Sequence, residues 1–273
     1  MTLLDYERLT ARARDLHEQY SSAQPFPHAV LDDFVDAELA AAVEREFAEV
    51  DDAWKYYHHY NEKKLAITDL ERMPPNTRRL LSEFQSTRFV EFIEALTGID
   101  ALIADPTLEG AGMHMIRRGG FLNVHSDFQT HTKHRTWSRR VNLLLYLNRD
   151  WKAEWKGQNE LWNAHKTTCE RSVLPEFNRC LVFSTRAPAN HGHPDPLCCP
   201  EDRARKSLAV YYYRQGAEIG RLTPTSYQPR PDDSLLRRAL IKADGYAIRA
   251  VTFLKGRTGL SDETLSRILK RLG

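Results

Sequence analysis

The sequence has no long apolar run. Its longest apolar stretches, such as 143-LLLYL-147, fall far short of the ~20 residues that a spanning helix needs, so no membrane partner is expected. It has little net charge: 39 Lys+Arg against 37 Asp+Glu leave +2, and no global field exists that would draw in nucleic acid. Cysteine is scarce. The four thiols, Cys169, Cys180, Cys198 and Cys199, show no C-x-x-C spacing, and the last two are neighbours that do not easily bridge to each other, which points to free thiols in a reducing, cytoplasmic setting. The opening MTLLDYERLTARARDLHEQY lacks a basic stretch followed by an apolar core and reads as a polar helix rather than a targeting signal. Repeats and low-complexity tracts are absent, and 10% aromatics exclude a disordered chain.

Histidine is what the sequence does have. Of eleven, seven fall in the middle of the chain, at 114, 125, 131, 134, 165, 191 and 193. Around them the texture changes twice. Residues 1 to about 110 look helix-rich. Residues 36–50 put Leu39, Val43, Phe47 and Val50 on one face behind an Asp36 N-cap, a second helix follows Pro74 and Pro75, and a third over 87–98 ends on Gly98. From 111 to 216 short β-branched and aromatic segments alternate with turn residues, predicting strands near 112–118, 121–127, 140–148, 158–163, 180–185, 190–193 and 206–214. Such spacing argues for a sandwich or barrel-like β core. Residues 217–273 form a basic, partly helical extension with a final amphipathic helix from Ser261, and the whole reads as one structural domain.

His125 and Asp127 stand two apart in 121-FLNVHSD-127, so on a strand both point to one side. His191, in 190-NHGHP-194 beyond an apolar strand, offers a third donor. Two histidines and a carboxylate on one face of an ion leave open positions, as in non-haem Fe(II) oxygenases. Such tripeptides are common by chance, and a strand histidine is more often structural. His193 competes with His191, because both lie on one strand face. In 203-RARKSLAVYYY-213, alternation puts Arg205, Ser207, Ala209 and Tyr211 on one face and Lys206, Leu208, Val210 and Tyr212 on the other. A planar, permanently charged fork followed by a hydroxyl suits a carboxylate. Arg203 is the rival on the same face, and the bland reading is a surface arginine in a turn.

Taken in order, 125-HSD-127, 140-RVNLLLYLNRDW-151, 175-PEFNRCLVFS-184, His191 and 205-RKSLAVYYY-213 resemble the Fe(II)- and 2-oxoglutarate-dependent oxygenases, within them the prolyl-hydroxylase-like branch; 25-PFPHAVLDDF-34 is similar to their lead-in. The resemblance implies a mixed α+β fold: a double-stranded β-helix (jelly-roll, cupin-like) core with N-terminal helices and a helical C-terminal extension. It implies His125, Asp127 and His191 as iron ligands, and Arg205 with Ser207 for the distal carboxylate of 2-oxoglutarate. Tyr146 matches the position of a phenol that helps bind that carboxylate, against its reading as a core aromatic with a surface hydroxyl. Asn142 and Leu144 share its face and are expected to line the pocket, Asn142 among the cosubstrate contacts. O2 is the co-reactant, with ascorbate as a stimulant. Asp127 argues for hydroxylation over halogenation, since related halogenases have a small residue there; desaturation, cyclisation and epimerisation stay open.

The family's Gly-Gly-x-Leu is not kept: in 155-WKGQNELW-162, Lys156 and Asn159 hold the first-glycine and leucine places, which makes Asn159 a candidate substrate contact. His131, in a polar loop at the mouth, and Tyr57, in the aromatic cluster of 54-WKYYHHYNEKK-64, are further candidates, each weighed against solvated loop or ordinary packing. A small metabolite is favoured over a protein side chain as substrate. A metal hydrolase or a non-catalytic metal-binding jelly-roll is the alternative of another class, and the Arg205/Ser207 clamp argues against both.

Overall fold

The computed structural model describes residues 3–47, 51–186, 188–220 and 222–258. Helices α1 (Tyr6–Ala11) and α2 (Ala13–Ser22) lead into strand β1 (His28–Leu31) and helix α3 (Ala37–Arg45). Asp36 caps α3 as expected, its carboxylate accepting from Leu39 N at 2.9 Å. A hairpin, β2 (Lys55–His59) and β3 (Glu62–Ile67), precedes α4 (Pro75–Phe84) and α5 (Thr87–Thr97). Helix α5 ends where Gly98 takes φ 69, the left-handed conformation that glycine adopts without steric cost. The short β4 (Leu102–Ala104) opens the run β5 (Gly112–Arg117), β6 (Phe121–Ser126), β7 (Trp137–Tyr146), β8 (Asn159–Trp162), β9 (Cys169–Val173), β10 (Arg179–Ser184), β11 (Asn190–His193) and β12 (Ala204–Gln215). Strand β13 (Ser226–Tyr227) and helix α6 (Leu235–Thr258) follow. Val50 and the helix expected from Ser261 lie outside the described residues.

The strands form one 13-stranded antiparallel sheet in the order β1-β10-β7-β12-β5-β3-β6-β11-β8-β9, curled into a nearly closed barrel. This is the expected double-stranded β-helix. The helix-rich reading of the N-terminal third missed four strands there, and β3 is the important one: it lies between β5 and β6 in the sheet. Its segment, 62-EKKLAI-67, is too polar to read as an interior strand.

Helices α4 and α5 cover the outer face of the barrel. Phe84 and Phe89, ring centroids 4.8 Å apart, pack with Phe34 and Phe92 in a fully buried aromatic cluster. Tyr212, on the outward row of β12, reaches into it and donates its hydroxyl to Phe84 O at 2.9 Å. Each such aromatic removed from water contributes ~1.5–3 kcal/mol, which fixes the barrel wall from behind and leaves the inner row of β12 free for chemistry.

The C-terminal extension docks on the β2–β3 turn. Asn61 donates to Ile241 O at 3.1 Å and to Asp244 Oδ2 at 2.6 Å, and the same Asp244 oxygen lies 2.8 Å from His59 Nδ1. No helix among the described residues is long and apolar enough to cross a membrane.

Candidate active site

The barrel encloses a cavity of about 230 Å³. Antiparallel pairing sets His125 on β6 directly opposite His191 on β11, and Asp127 follows one residue past the end of β6. The register shifts between His191 and His193, which sit opposite His125 and Leu122, so an extra residue on β6 lets all four side chains line the cavity. Gly192 separates the two histidines because a Cβ there would lie 2.9 Å from the carbonyl oxygens of Leu122 and Asn123.

Each ligand candidate is held in the form that binds a cation. His125 Nδ1–H donates to Asn123 O at 2.8 Å and His191 Nδ1–H to Ala189 O at 3.2 Å, leaving both Nε2 lone pairs turned inward. Those nitrogens lie 3.7 and 3.6 Å from the Asp127 oxygens with no proton to place between them. Burial, then the neighbouring histidine, depresses His125 to about 4, and burial depresses His191 as well. Burial pushes the Asp127 carboxyl up, but the Arg139 guanidinium, helped by the Asn142 amide, outweighs it and holds the group ionised. Two neutral imidazoles and one carboxylate therefore converge, their ligand atoms within 4.8 Å of one another, and fit a facially bound divalent ion.

Arg139 was not foreseen. Alternation from Asn142 puts Arg140 on the cavity face, but β7 carries a bulge: Tyr212 pairs with Val141 and Tyr213 with Arg139, so Arg140 is passed over and Arg139 turns inward. It is 1% exposed, lies 3.3 Å from Asp127 Oδ2, donates through Nε to Asn142 Oδ1 at 2.8 Å, and stacks on Tyr211 at 3.3 Å from the ring centroid. Asn142 in turn donates to Asp127 Oδ2 at 2.8 Å. Asn142 thus lines the cavity, with one amide N–H on the candidate ligand carboxylate and its oxygen on Arg139.

Arg205 and Ser207 share the inner row of β12 with Tyr211, as alternation predicts. Arg205 is 4% exposed and donates from Nε to Gly157 O at 2.7 Å. It lies 4.9 Å from the centre of the Tyr146 ring, and among the described residues no carboxylate pairs with it. Burial lowers its pKa, the sign of a cation that lacks an anion. Tyr146 stands behind Arg205 rather than in the cavity wall. Its hydroxyl is buried and unpartnered, not at the surface, and burial raises it to about 12. Asn159 Nδ2 and both ring nitrogens of the buried, cavity-lining His193 are unpartnered too. A lone buried guanidinium is what a small carboxylate would satisfy, and the unpaired polar groups around it are open to whatever else enters the cavity. Gly157 takes φ 84 and its Cβ position lies 2.6 Å from Leu197, while Lys156, in the family's glycine place, adopts φ 64 and ψ −166, a region that strains any side chain.

Other expected residues divide. Tyr57 lines the cavity from β2, whereas Tyr56 and Tyr60 are exposed. His131 is corrected: it is fully buried away from the cavity, with Nδ1 accepting from the backbone of Lys133 and His134 and Nε2 3.3 Å from Asp105 Oδ2. A bridge between Thr130 and Ser138 tucks this loop against Trp137 and Tyr213, so polarity there meant buried hydrogen bonding, not solvent or substrate. Arg203 is exposed near Trp155, and His165 is exposed in a turn. His114 lines the cavity, depressed to about 3 by burial and by Lys64. Glu62 and Lys64 of β3, and Thr225 and Tyr227 of the C-terminal extension, complete the wall, with Tyr227 opposite His125 in the sheet.

The 2OG-Fe(II) oxygenase superfamily profile matches residues 111–213, the span that carries every one of these ligand candidates. Over that span the chain is similar to the 2OG-Fe(II) oxygenase superfamily. Solved structures with the same fold include a prolyl hydroxylase from Trichoplax adhaerens in complex with a hypoxia inducible factor peptide fragment (15% identity, TM-score 0.54, 76% of this chain and 91% of that one covered). A Pseudomonas putida prolyl-4-hydroxylase (17%, 0.52, 75% and 100%) and a prolyl 4-hydroxylase from Phytophthora capsici (18%, 0.51, 100% and 92%) share it as well. No curated protein matches the sequence. The family implies Fe(II) and 2-oxoglutarate, and the chain is an oxygenase dependent on both.

The neutral histidines give this oxygenase a pH signature. His125 stays unprotonated down to about pH 4 in the fold, while an unfolded histidine titrates near 6.5, so between those values the unfolded chain binds more protons. Stability is fully present above pH 6.5 and is lost as pH falls toward 4, at about 1.4 kcal/mol per pH unit per histidine, with His191 and His193 acting in the same direction. Urea midpoints of metal-free protein at pH 7, 6 and 5 should fall in that order; a flat series would show that these rings are not held neutral.

Proposed function

We propose that this oxygenase hydroxylates an unactivated C–H bond of a small metabolite, with His125, Asp127 and His191 holding Fe(II), Arg205 and Ser207 receiving 2-oxoglutarate, and Tyr146 backing the Arg205 guanidinium. Bound Fe(II) and 2-oxoglutarate supply the oxidising chemistry, with O2 consumed and succinate and CO2 released. The protein's part is preparation. The Nδ1–H bonds of His125 and His191 fix their tautomers, and Arg139 with Asn142 keeps Asp127 ionised and oriented. An aspartate in that place fills the coordination position a halide needs, which supports hydroxylation. Ile116, Leu122 and Leu144 limit water in the cavity, and Asn159 offers its unpartnered Nδ2 to the substrate.

The observation that carries this reading is the buried, anion-less Arg205 beside the His125/Asp127/His191 cluster, because a metal hydrolase or a binding jelly-roll has no use for a carboxylate receptor there. A cavity of about 230 Å³, shared with a cosubstrate, favours a small substrate over a protein. Anaerobic addition of Fe(II) and then 2-oxoglutarate should produce the visible charge-transfer band of a chelated 2-oxo acid in the wild type and not in His191→Ala. The same band in His191→Ala would remove that residue from the metal site. Substrate-stimulated succinate release in metabolite and peptide pools then separates the small-molecule reading from peptidyl hydroxylation.

A further inference from the structure

We infer that Lys64 is a specificity-determining residue that binds an anionic group of the substrate, a carboxylate above all; this rests on the oxygenase reading given above. Strand β3 sends Glu62, Lys64 and Ala66 into the cavity on alternate residues. Arg205 pairs with Ile116, and Leu65 with Met115, so Lys64 and Arg205 stand in one row across the sheet with β5 between them. Two strand spacings put their backbones ~10 Å apart. Their side chains also lead away from each other: Arg205 turns to Gly157 and the Tyr146 ring, whereas Lys64 lies 3.0 Å from Glu62 Oε2 and 5.5 Å from the centre of the Tyr57 ring. These are two cationic receptors, and one dicarboxylate occupying the Arg205 side leaves the other free.

Charge decides what the second receptor takes. Lys64, Arg139 and Arg205 line the cavity against Glu62 and Asp127, and histidines that hold a metal do so as neutral rings. A divalent ion and a dianionic cosubstrate cancel each other, so the loaded site retains one positive charge. Glu62 does not remove it, because its other oxygen lies 3.0 Å from His59, which is in turn 2.8 Å from Asp244 of α6. Burial works against the Lys64 ammonium, and Glu62 outweighs it, so the group enters the cavity charged and fixed. Glu62 takes one of its three N–H donors, leaving others for a ligand; Tyr57, Tyr211 and Tyr227 ring the same space.

The test uses the Fe(II)- and 2-oxoglutarate-loaded protein under anaerobic conditions. It is titrated with free amino acids and aliphatic carboxylic acids, each against its primary amide, following perturbation of the charge-transfer band and the heat of binding. Acids are expected to bind at least tenfold more tightly than their amides. Lys64→Met should bring the acids down to the amide level while leaving 2-oxoglutarate affinity within twofold, and Lys64→Arg should retain most of the difference. The proposal fails if amides match acids, if no acid binds, or if Lys64→Met weakens 2-oxoglutarate instead, which would assign Lys64 to the cosubstrate. A wild type that gives no band with Fe(II) and 2-oxoglutarate would overturn the oxygenase reading itself, and this outcome is seen before any acid is added.

Discussion

Arg205→Met raises the KM for 2-oxoglutarate by about a hundredfold and leaves the metal-free protein as stable as the wild type, or more so. The two effects have opposite origins. On the proposed assignment, bound cosubstrate makes Arg205 one half of a buried ion pair, and removing one partner of such a pair costs ~2–5 kcal/mol of binding, or ~30- to several-thousandfold. Without it, the guanidinium sits 4% exposed, has Gly157 O as its hydrogen-bond acceptor and pairs with no carboxylate among the described residues. A buried unpaired charge is a liability, and an apolar side chain of similar length relieves it. Arg205→Lys should fall between, since a single ammonium cannot serve Gly157 and a carboxylate fork together. Steady-state kinetics in 2-oxoglutarate and urea melts of the metal-free proteins check both halves. A stability loss without a KM effect would make Arg205 a structural residue.

Arg139→Met is expected to act the other way round, on the metal-free fold first. It strips the guanidinium from Asp127, leaving a buried carboxylate with Asn142 and two neutral imidazoles for company. Breaking a buried pair in this way costs ~3–5 kcal/mol. A divalent ion supplies positive charge to the same carboxylate, so saturating Mn(II) should restore part of the loss by mass action. The double variant Asp127→Asn/Arg139→Met should be more stable without metal than Arg139→Met alone, because it buries no charge. Equal stabilities would mean that the 3.3 Å contact carries no energy.

What was legible in the sequence was what obeyed strict alternation. The inner row of β12 follows from its residues two by two, and so does the pairing of His125 with Asp127; Asn159 was found as a departure from a family pattern, and both it and the inner row prove to face the cavity. The illegible parts have physical reasons. A bulge on β7 exchanges Arg140 for Arg139, and nothing local announces it. Strand β3 is polar because its inward row is charged, which disguises an interior strand as surface. His131 lies in a polar stretch that is nonetheless buried, its Nδ1 accepting from backbone donors and its Nε2 lying beside Asp105. Tyr227 comes from a two-residue strand that pairs with β6 only through tertiary docking of the C-terminal extension.

The most direct measurement is succinate formed from 2-oxoglutarate by purified protein in air. Wild type should form it only when both Fe(II) and 2-oxoglutarate are supplied, and His125→Ala should reduce it at least a thousandfold. Succinate formation that survives His125→Ala, or that proceeds equally well without Fe(II), would contradict the assignment of His125, Asp127 and His191 to a catalytic iron.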